Sequence, residues 1–243
     1  MEEYLVGHRK EGFSWFLPEI EGESADDQNL AAARRFSSLG EALAVSIENS
    51  CNVFELVAGE HGNKEAEEIL IDLEKANSVP YEKCYWLMDD LLIGPNPICR
   101  ELSQTEQHMA RLHQAGIRSV VSLLSEQELY WADSYRTQMW FENFLHHVFP
   151  VQDGGVPTPR TMGLILDVVD ESLRCNQGAF IHCFGGRGRA GLVAACFIAR
   201  HGAATGQSAL NFLTKRRVEH GLFQPSPETP TQREFAKRWK NGE

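Results

Sequence analysis

The spacing of apolar residues along this chain changes repeatedly. Over Arg118–Leu124 and Ala179–His182 the apolar positions run together, in stretches too short for helices and rich in β-branched or aromatic side chains. Runs of that kind predict buried strands. Tyr85–Ile93, around Asp89-Asp90, and His147–Val151 read the same way. Between and after them the apolar positions take helical spacing. The predicted helices are Thr105–Ala115 (closed by Gly116), Glu126–Phe141, Thr161–Arg174, Arg189–His201, Gly206–Arg217 and Thr231–Trp239. Strands alternating with helices predict an α/β fold with a mainly parallel central sheet flanked by helices.

Upstream of this region the pattern weakens. Residues 1–27 have no clear period, although Phe13, Trp15, Phe16 and Leu17 need burial. Asn29–Asn49 reads as helical with a break at Gly40, and Val53–Ala58 as a short strand. Asn63 reads as the N-cap of a helix through Lys75, with Ile69, Leu70 and Leu73 on one face. Ser78-Val79-Pro80 reads as a linker. The expectation is therefore a smaller, mostly helical module over residues 1–83 and an α/β domain over residues 84–243.

Charge sharpens that division. Residues 1–83 hold 18 acidic and 7 basic side chains, whereas residues 84–243 hold 16 of each, so the net charge of −11 lies entirely in the first module. An acidic module speaks against general binding to nucleic acid or anionic membranes and suits a docking partner. The longest apolar run, Leu192–Ala199, is too short to cross a bilayer. The start, Met1-Glu2-Glu3-Tyr4, is acidic where a secretory leader needs a basic residue. Cys51, Cys84, Cys99, Cys175, Cys183 and Cys196 are spread without zinc-ligand spacing. His146 and His147 are adjacent on a strand and face opposite sides. These features lead us to expect a reducing, cytoplasmic setting, thiol cysteines and no metal.

The segment that carries chemistry is Ile181-His182-Cys183-Phe184-Gly185-Gly186-Arg187-Gly188-Arg189-Ala190-Gly191, between an apolar strand and an apolar helix. Gly185, Gly186 and Gly188 let the backbone curl tightly and come close to a ligand. Such a loop turns successive N–H groups inward, and with the helix N-terminus it makes an anion site. A cysteine at its floor sits in the same positive field, which favours the nucleophilic thiolate. Arg189 brings a planar fork suited to two phosphate oxygens. Cradle, thiolate and arginine together suit in-line attack on phosphorus without a cofactor.

His182-Cys183-x5-Arg189 resembles the signature loop of the protein tyrosine phosphatase superfamily. The fuller run of glycines is similar to the dual-specificity branch, especially kinase-associated and similar phosphatases. The resemblance implies that Cys183 is the nucleophile and Arg189 the phosphate clamp. Residues 184–189 (Phe184, Gly185, Gly186, Arg187, Gly188 and Arg189) then bind phosphate, and His182 orients the loop by hydrogen bonding. Family members carry an aspartic general acid on a separate upstream loop, and Phe149-Pro150-Val151-Gln152-Asp153-Gly154-Gly155-Val156-Pro157 resembles it, with Asp153 in the acid position. The implied substrates are phosphorylated proteins, chiefly at tyrosine. The resemblance covers residues 84–239, through Cys84-Tyr85-Trp86, Gly94-Pro95-Asn96-Pro97, Gly116–Leu123 and Gln232-Arg233-Glu234-Phe235. It leaves residues 1–83 without an assigned role.

Two positions depart from the pattern. Ala190 stands where most members have a Ser or Thr hydroxyl that helps the sulfur leave, a change shared with the slow phosphatases of regenerating liver. Slow hydrolysis of the intermediate, or phospho-binding without turnover, is the alternative this raises. Arg187 stands where phosphoinositide phosphatases carry a basic residue, which raises a small-molecule alternative. The blander expectation is that Arg187 points outward and pairs with an acidic neighbour. Lys215-Arg216-Arg217 suits the C-terminal end of a helix dipole. Cys175 and Cys196 are candidates for an oxidative bridge to Cys183.

Overall fold

The computed structural model describes the backbone of residues 4–10, 13–16, 52–58 and 64–68, and residues 78–131, 140–240 and 242. The chain divides into two compact units, Met1–Ile71 and Asp72–Glu243.

In the first unit, β1 (Tyr4–Lys10), β2 (Phe13–Phe16), β3 (Asn52–Ala58) and β4 (Lys64–Glu68) form an antiparallel sheet in the order β2-β1-β3-β4. The strand expected at Val53–Ala58 is β3. The helix expected from Asn63 is corrected: Lys64–Glu68 is a strand, paired with β3 from Ala58↔Lys64 to Phe54↔Glu68. Lys, Glu and Ala favour a helix locally, but β3 offers a row of unpaired backbone groups. A five-residue connection holding Gly59 and Gly62 can turn the chain back onto it. The helical reading of Asn29–Asn49 lies outside the described residues.

The second unit begins with a hairpin, β5 (Tyr85–Met88) and β6 (Leu91–Pro95), turned at Asp89-Asp90. It continues through α1 (Leu102–Gln114), β7 (Ile117–Ser122), α2 (Glu126–Trp131), β8 (Leu145–Val148), α3 (Pro159–Arg174) and β9 (Gly178–Cys183). Three helices close it: α4 (Arg189–Arg200), α5 (Gln207–Glu219) and α6 (Pro230–Arg238). The strand order is β5-β6-β9-β7-β8. Only the β5–β6 pair is antiparallel. This is the mainly parallel, helix-flanked sheet expected from the sequence.

β9 occupies the middle, parallel to both β6 and β7, and all six of its residues are buried. That is why it reads as a continuous apolar run rather than an alternating one. Its side chains still alternate between two cores. Ala179, Ile181 and Cys183 face the larger cluster, with Ile165, Leu166 and Val169 of α3 and most of α4. Phe180 faces the smaller one, with Met109, Leu112 and Phe141. Helix α4 is buried from Arg189 to Ala199, as its apolar composition on every side requires. Thr158 caps α3 through the Thr161 N–H, and Pro159 follows at the first helical position, where its missing N–H costs nothing. Among the described residues, no helix is long and apolar enough to cross a membrane.

Candidate active site

The carboxyl end of β9 delivers Cys183 to the turn into α4, level with Pro95 of β6. The loop that follows is held by its backbone. Asn96 N donates to the Phe184 carbonyl at 3.2 Å. Gly186 has φ +71°, and a Cβ there would lie 2.5 Å from both the Gly94 carbonyl carbon and the Pro95 nitrogen. Only glycine allows the loop to lie this close to the end of β6. Gly188 is the N-cap of α4 and no side chain caps that helix, so its first-turn N–H groups remain for a ligand. Phe184 stands out into solvent, 67% exposed, while Cys183 is buried at the base.

Arg189, the first residue of α4, is 2% exposed and almost fully engaged. Its Nη1 donates to the carbonyls of Leu123 (3.2 Å) and Val151 (3.0 Å) and to Glu128 Oε2 (2.5 Å). Its Nη2 donates to Glu128 Oε1 at 2.8 Å and pairs with Asp153 Oδ1 at 2.9 Å. Burial works against its charge, but the Glu128 hydrogen bonds and the fields of Cys183 and Asp153 raise its pKa further still. The Nε–H alone has no partner in this buried guanidinium.

Glu128 was not picked out by the sequence reading. It lies at the start of α2 in a capping arrangement: Ser125 N donates to Glu128 Oε2 at 2.8 Å, and Glu128 N donates to Ser125 Oγ at 3.3 Å. Burial pushes its carboxyl pKa up, but the Arg189 and Ser125 hydrogen bonds bring it down to about 2. The available signal was Ser125-x-x-Glu128 directly after an apolar strand, a capping box placed at the sheet edge where ligands bind. That Glu128 turns inward to Arg189, 61 residues away, is a tertiary fact.

Asp153 lies on the loop after β8. Phe149 N still bonds the Ser122 carbonyl, and a turn then closes from Gly155 N to the Gln152 carbonyl at 2.9 Å. The turn is made by main chain, so the carboxylate is left to reach Arg189. Its side chain is 75% exposed.

The His182 ring is placed mainly by stacking. Neither ring nitrogen makes a normal hydrogen bond. The ring points into the smaller core, stacked between Phe180 and Phe141, and Phe141 stacks in turn on His146. Burial and the neighbouring His146 pull its pKa down to about 3, against a weaker upward pull from the Cys183 backbone. The contact of His182 with the neighbouring strand is main chain: its carbonyl accepts from Leu123 N at 2.9 Å. Arg187 pairs with Gln224 and the acidic neighbour Glu228. Ala190 is fully buried.

The described cysteines, Cys84, Cys99, Cys175, Cys183 and Cys196, are all thiols. Cys175 lies three residues before β9 while Cys183 ends it, so the length of the strand, about 16 Å, lies between its two ends. Cys196 is seven residues along α4 from Arg189, about 10 Å of helix rise. Neither spacing suits a disulfide.

Residues 92–236 match the family model described as Swiss Army Knife protein, DSP-PTPase phosphatase domain. Cyclin-dependent kinase inhibitor 3 of Sus scrofa is 32% identical over 92 residues, 36% of this chain and 42% of that protein. The chain therefore spans less than half the length of that relative. Among solved structures, Tk-PTP in its active form aligns with a TM-score of 0.54 at 20% identity, covering 66% of this chain and 97% of that one. Kinase-associated phosphatase, with its catalytic-site cysteine replaced by serine, aligns with a TM-score of 0.55 at 20% identity, covering 63% and 90%. These two likenesses establish the fold.

Proposed function

The chain belongs to the Swiss Army Knife DSP-PTPase phosphatase domain family, and from that membership we propose that it hydrolyses phosphomonoesters, phosphotyrosine first, through a phosphocysteine intermediate. The observation that carries this reading is the state of Arg189. A buried guanidinium with one unpartnered N–H, beside an uncapped helix N-terminus and a cysteine, is a site short of an anion.

In the proposed first step the Cys183 thiolate forms an S–P bond as the P–O bond to the leaving group breaks. Arg189 Nε and the loop N–H groups hold the equatorial oxygens, and Asp153 passes its proton to the departing oxygen. A positioned acid of this kind is worth roughly 10²–10⁴-fold. In the second step the Asp153 carboxylate takes a proton from water, which attacks phosphorus. The S–P bond breaks, releasing phosphate and restoring the thiolate. All the positive charge comes from the protein, so the reaction asks for no metal.

Substrate and setting belong to the same proposal. The relatives' names, a kinase inhibitor and a kinase-associated phosphatase, favour a phosphorylated protein, with phosphoserine or phosphothreonine also accepted. Glu228 already takes up the charge of Arg187, which weakens the inositol-phosphate reading. The acidic residues 1–83 are proposed to dock a partner, and the setting to be a reducing cytoplasm.

The test is hydrolysis of p-nitrophenyl phosphate by the wild type and Cys183→Ser, in EDTA and reductant. Turnover lost only in the variant is the expected result. Equal rates would end the proposal. Absence of turnover in both, with phosphopeptide still bound, would instead favour a binding module. Ala190 gives that second reading its footing, since no hydroxyl stands there to help the sulfur leave.

A further inference from the structure

One segment, Ser226–Gln232, touches both loops of the site. On the cradle side, Ser226 Oγ donates to the Arg187 carbonyl at 2.7 Å, and a Cβ on Gly191 would collide with that hydroxyl. On the other side, Thr229 Oγ1 donates to the Gly154 carbonyl at 3.1 Å, and Gln232 Nε2 donates to the Gly155 carbonyl at 3.0 Å. Gly154 and Gly155 directly follow Asp153.

The two donors are locked to each other. Gln232 N donates to Thr229 Oγ1 at 3.3 Å and Thr229 N donates to Gln232 Oε1 at 3.1 Å, the capping box of α6. Gln232 is wholly buried, and its amide has one orientation that satisfies both neighbours: oxygen to the Thr229 N–H, nitrogen to the Gly155 carbonyl. A Cβ on Gly188 would sit 3.2 Å from Gln232 Oε1, so the helix N-cap of the cradle is itself shaped to this glutamine.

Competition at Arg189 gives the arrangement its purpose. Nη2 hydrogen-bonds Glu128 Oε1 and also forms the ion pair with Asp153. A phosphate that draws on Nη2 competes with Asp153 for that ion pair just when the acid is needed. We propose that Thr229 and Gln232 are positioning residues that keep the acid loop seated when substrate takes Arg189. They hold Asp153 by the carbonyls of the two residues after it. This rests on the reading of Asp153 as general acid. The two bonds are neutral and do not compete with phosphate.

Paired substrates test it in the full chain. p-Nitrophenolate leaves without help, whereas the phenolate of phenyl phosphate needs the proton. The ratio is taken of the two kcat/KM values, which report the steps up to departure of the leaving group and not breakdown of the shared intermediate, and in which the folded fraction cancels. First, Asp153→Asn should lower the phenyl to p-nitrophenyl ratio; if it does not, the general-acid reading falls and the clamp falls with it. Given that result, Thr229→Val and Gln232→Met should lower the ratio about tenfold or more, a share of the general-acid contribution. Thr229→Ser should restore it, and in the Asp153→Asn background neither substitution should lower it further. A ratio within twofold of wild type in both variants, or a further fall without Asp153, would overturn the clamp while leaving the acid assignment standing.

Discussion

The cradle and the acid loop of this site are held in opposite ways. The cradle is fixed by backbone: Gly186 lies against Gly94 and Pro95, Asn96 N bonds Phe184 O, and β9 is paired on both sides. The acid loop is exposed at Asp153 and held by side chains from far along the chain, Arg189, Thr229 and Gln232. The difference follows from what each is proposed to do. An anion site works when its dipoles do not reorganise, so rigidity serves it. A proton donor has to let substrate in and product out, so it is held by bonds that can open singly.

On this contrast, damage to the backbone side should cost most. In Gly186→Ala the new methyl meets Gly94 and Pro95 backbone that cannot move aside, at a φ that L-residues resist. Stability should fall by about 2–4 kcal/mol, and turnover by about 100-fold or more from misplacement of the loop. Urea unfolding and p-nitrophenyl phosphate kinetics would read both; a variant with wild-type values would show that the cradle is not backbone-locked.

Asp153→Asn should give the reverse signature. Phenyl phosphate turnover should fall by about 10²-fold or more, yet stability should change by less than about 1 kcal/mol, because the carboxylate is largely in water. A large loss of stability would mean that the acid loop is as built-in as the cradle.

Glu128 stands between the two, since it grips Arg189 of the cradle from a separate helix. Its pKa of about 2 lies below the ordinary carboxylate value, so the folded state binds this proton less readily than the unfolded chain. The stability it contributes is present above pH about 4.5 and is lost as pH falls towards 2. Glu128→Gln keeps the shape but halves the pairing, and should cost about tenfold in turnover, in line with a hydrogen bond to a charged group of about 1.5 kcal/mol. Stability measured from pH 5 down to pH 3 should fall less steeply in the variant than in the wild type.

A pH effect without a part in the chemistry lies behind the cradle, in the stack of Phe180, His182, Phe141 and His146. Burial holds His182 at about 3 and His146 at about 4, His147 adding to the latter, so both rings are neutral when folded. The unfolded chain takes up these protons below pH ~6.5. Stability should therefore fall as pH drops from about 6.5 towards 4, by at most roughly 1.4 kcal/mol per unit for each ring. Urea midpoints at pH 7.5 and 5.5 would show it, and His146→Phe should flatten the slope. An unchanged slope would place the burden on His182 alone.

Asp153 and the loop from Cys183 to Arg189 could be found in the sequence because strand, glycine turn and helix are neighbours along the chain. Each announces itself locally, through an apolar run, missing side chains or helical spacing. The same locality misled at Asn63, where a helix-favouring run pairs with β3 instead. It also hid Glu128, which looks like an ordinary capping residue until Arg189 is placed beside it. For His182 the motif was legible but the orientation was not, because strand alternation sends its ring into the rear core while Cys183 faces the front.

The amino-acid sequence by itself determined the order of elements in the second unit, the central strand and the place of the anion cradle, since these depend on contacts between residues a few positions apart. Tertiary structure alone decided that Glu128, Asp153, Thr229 and Gln232 converge on one guanidinium and one loop. Those contacts span 36 to 77 residues, and no local pattern records which distant side chain the closed sheet will bring to face another.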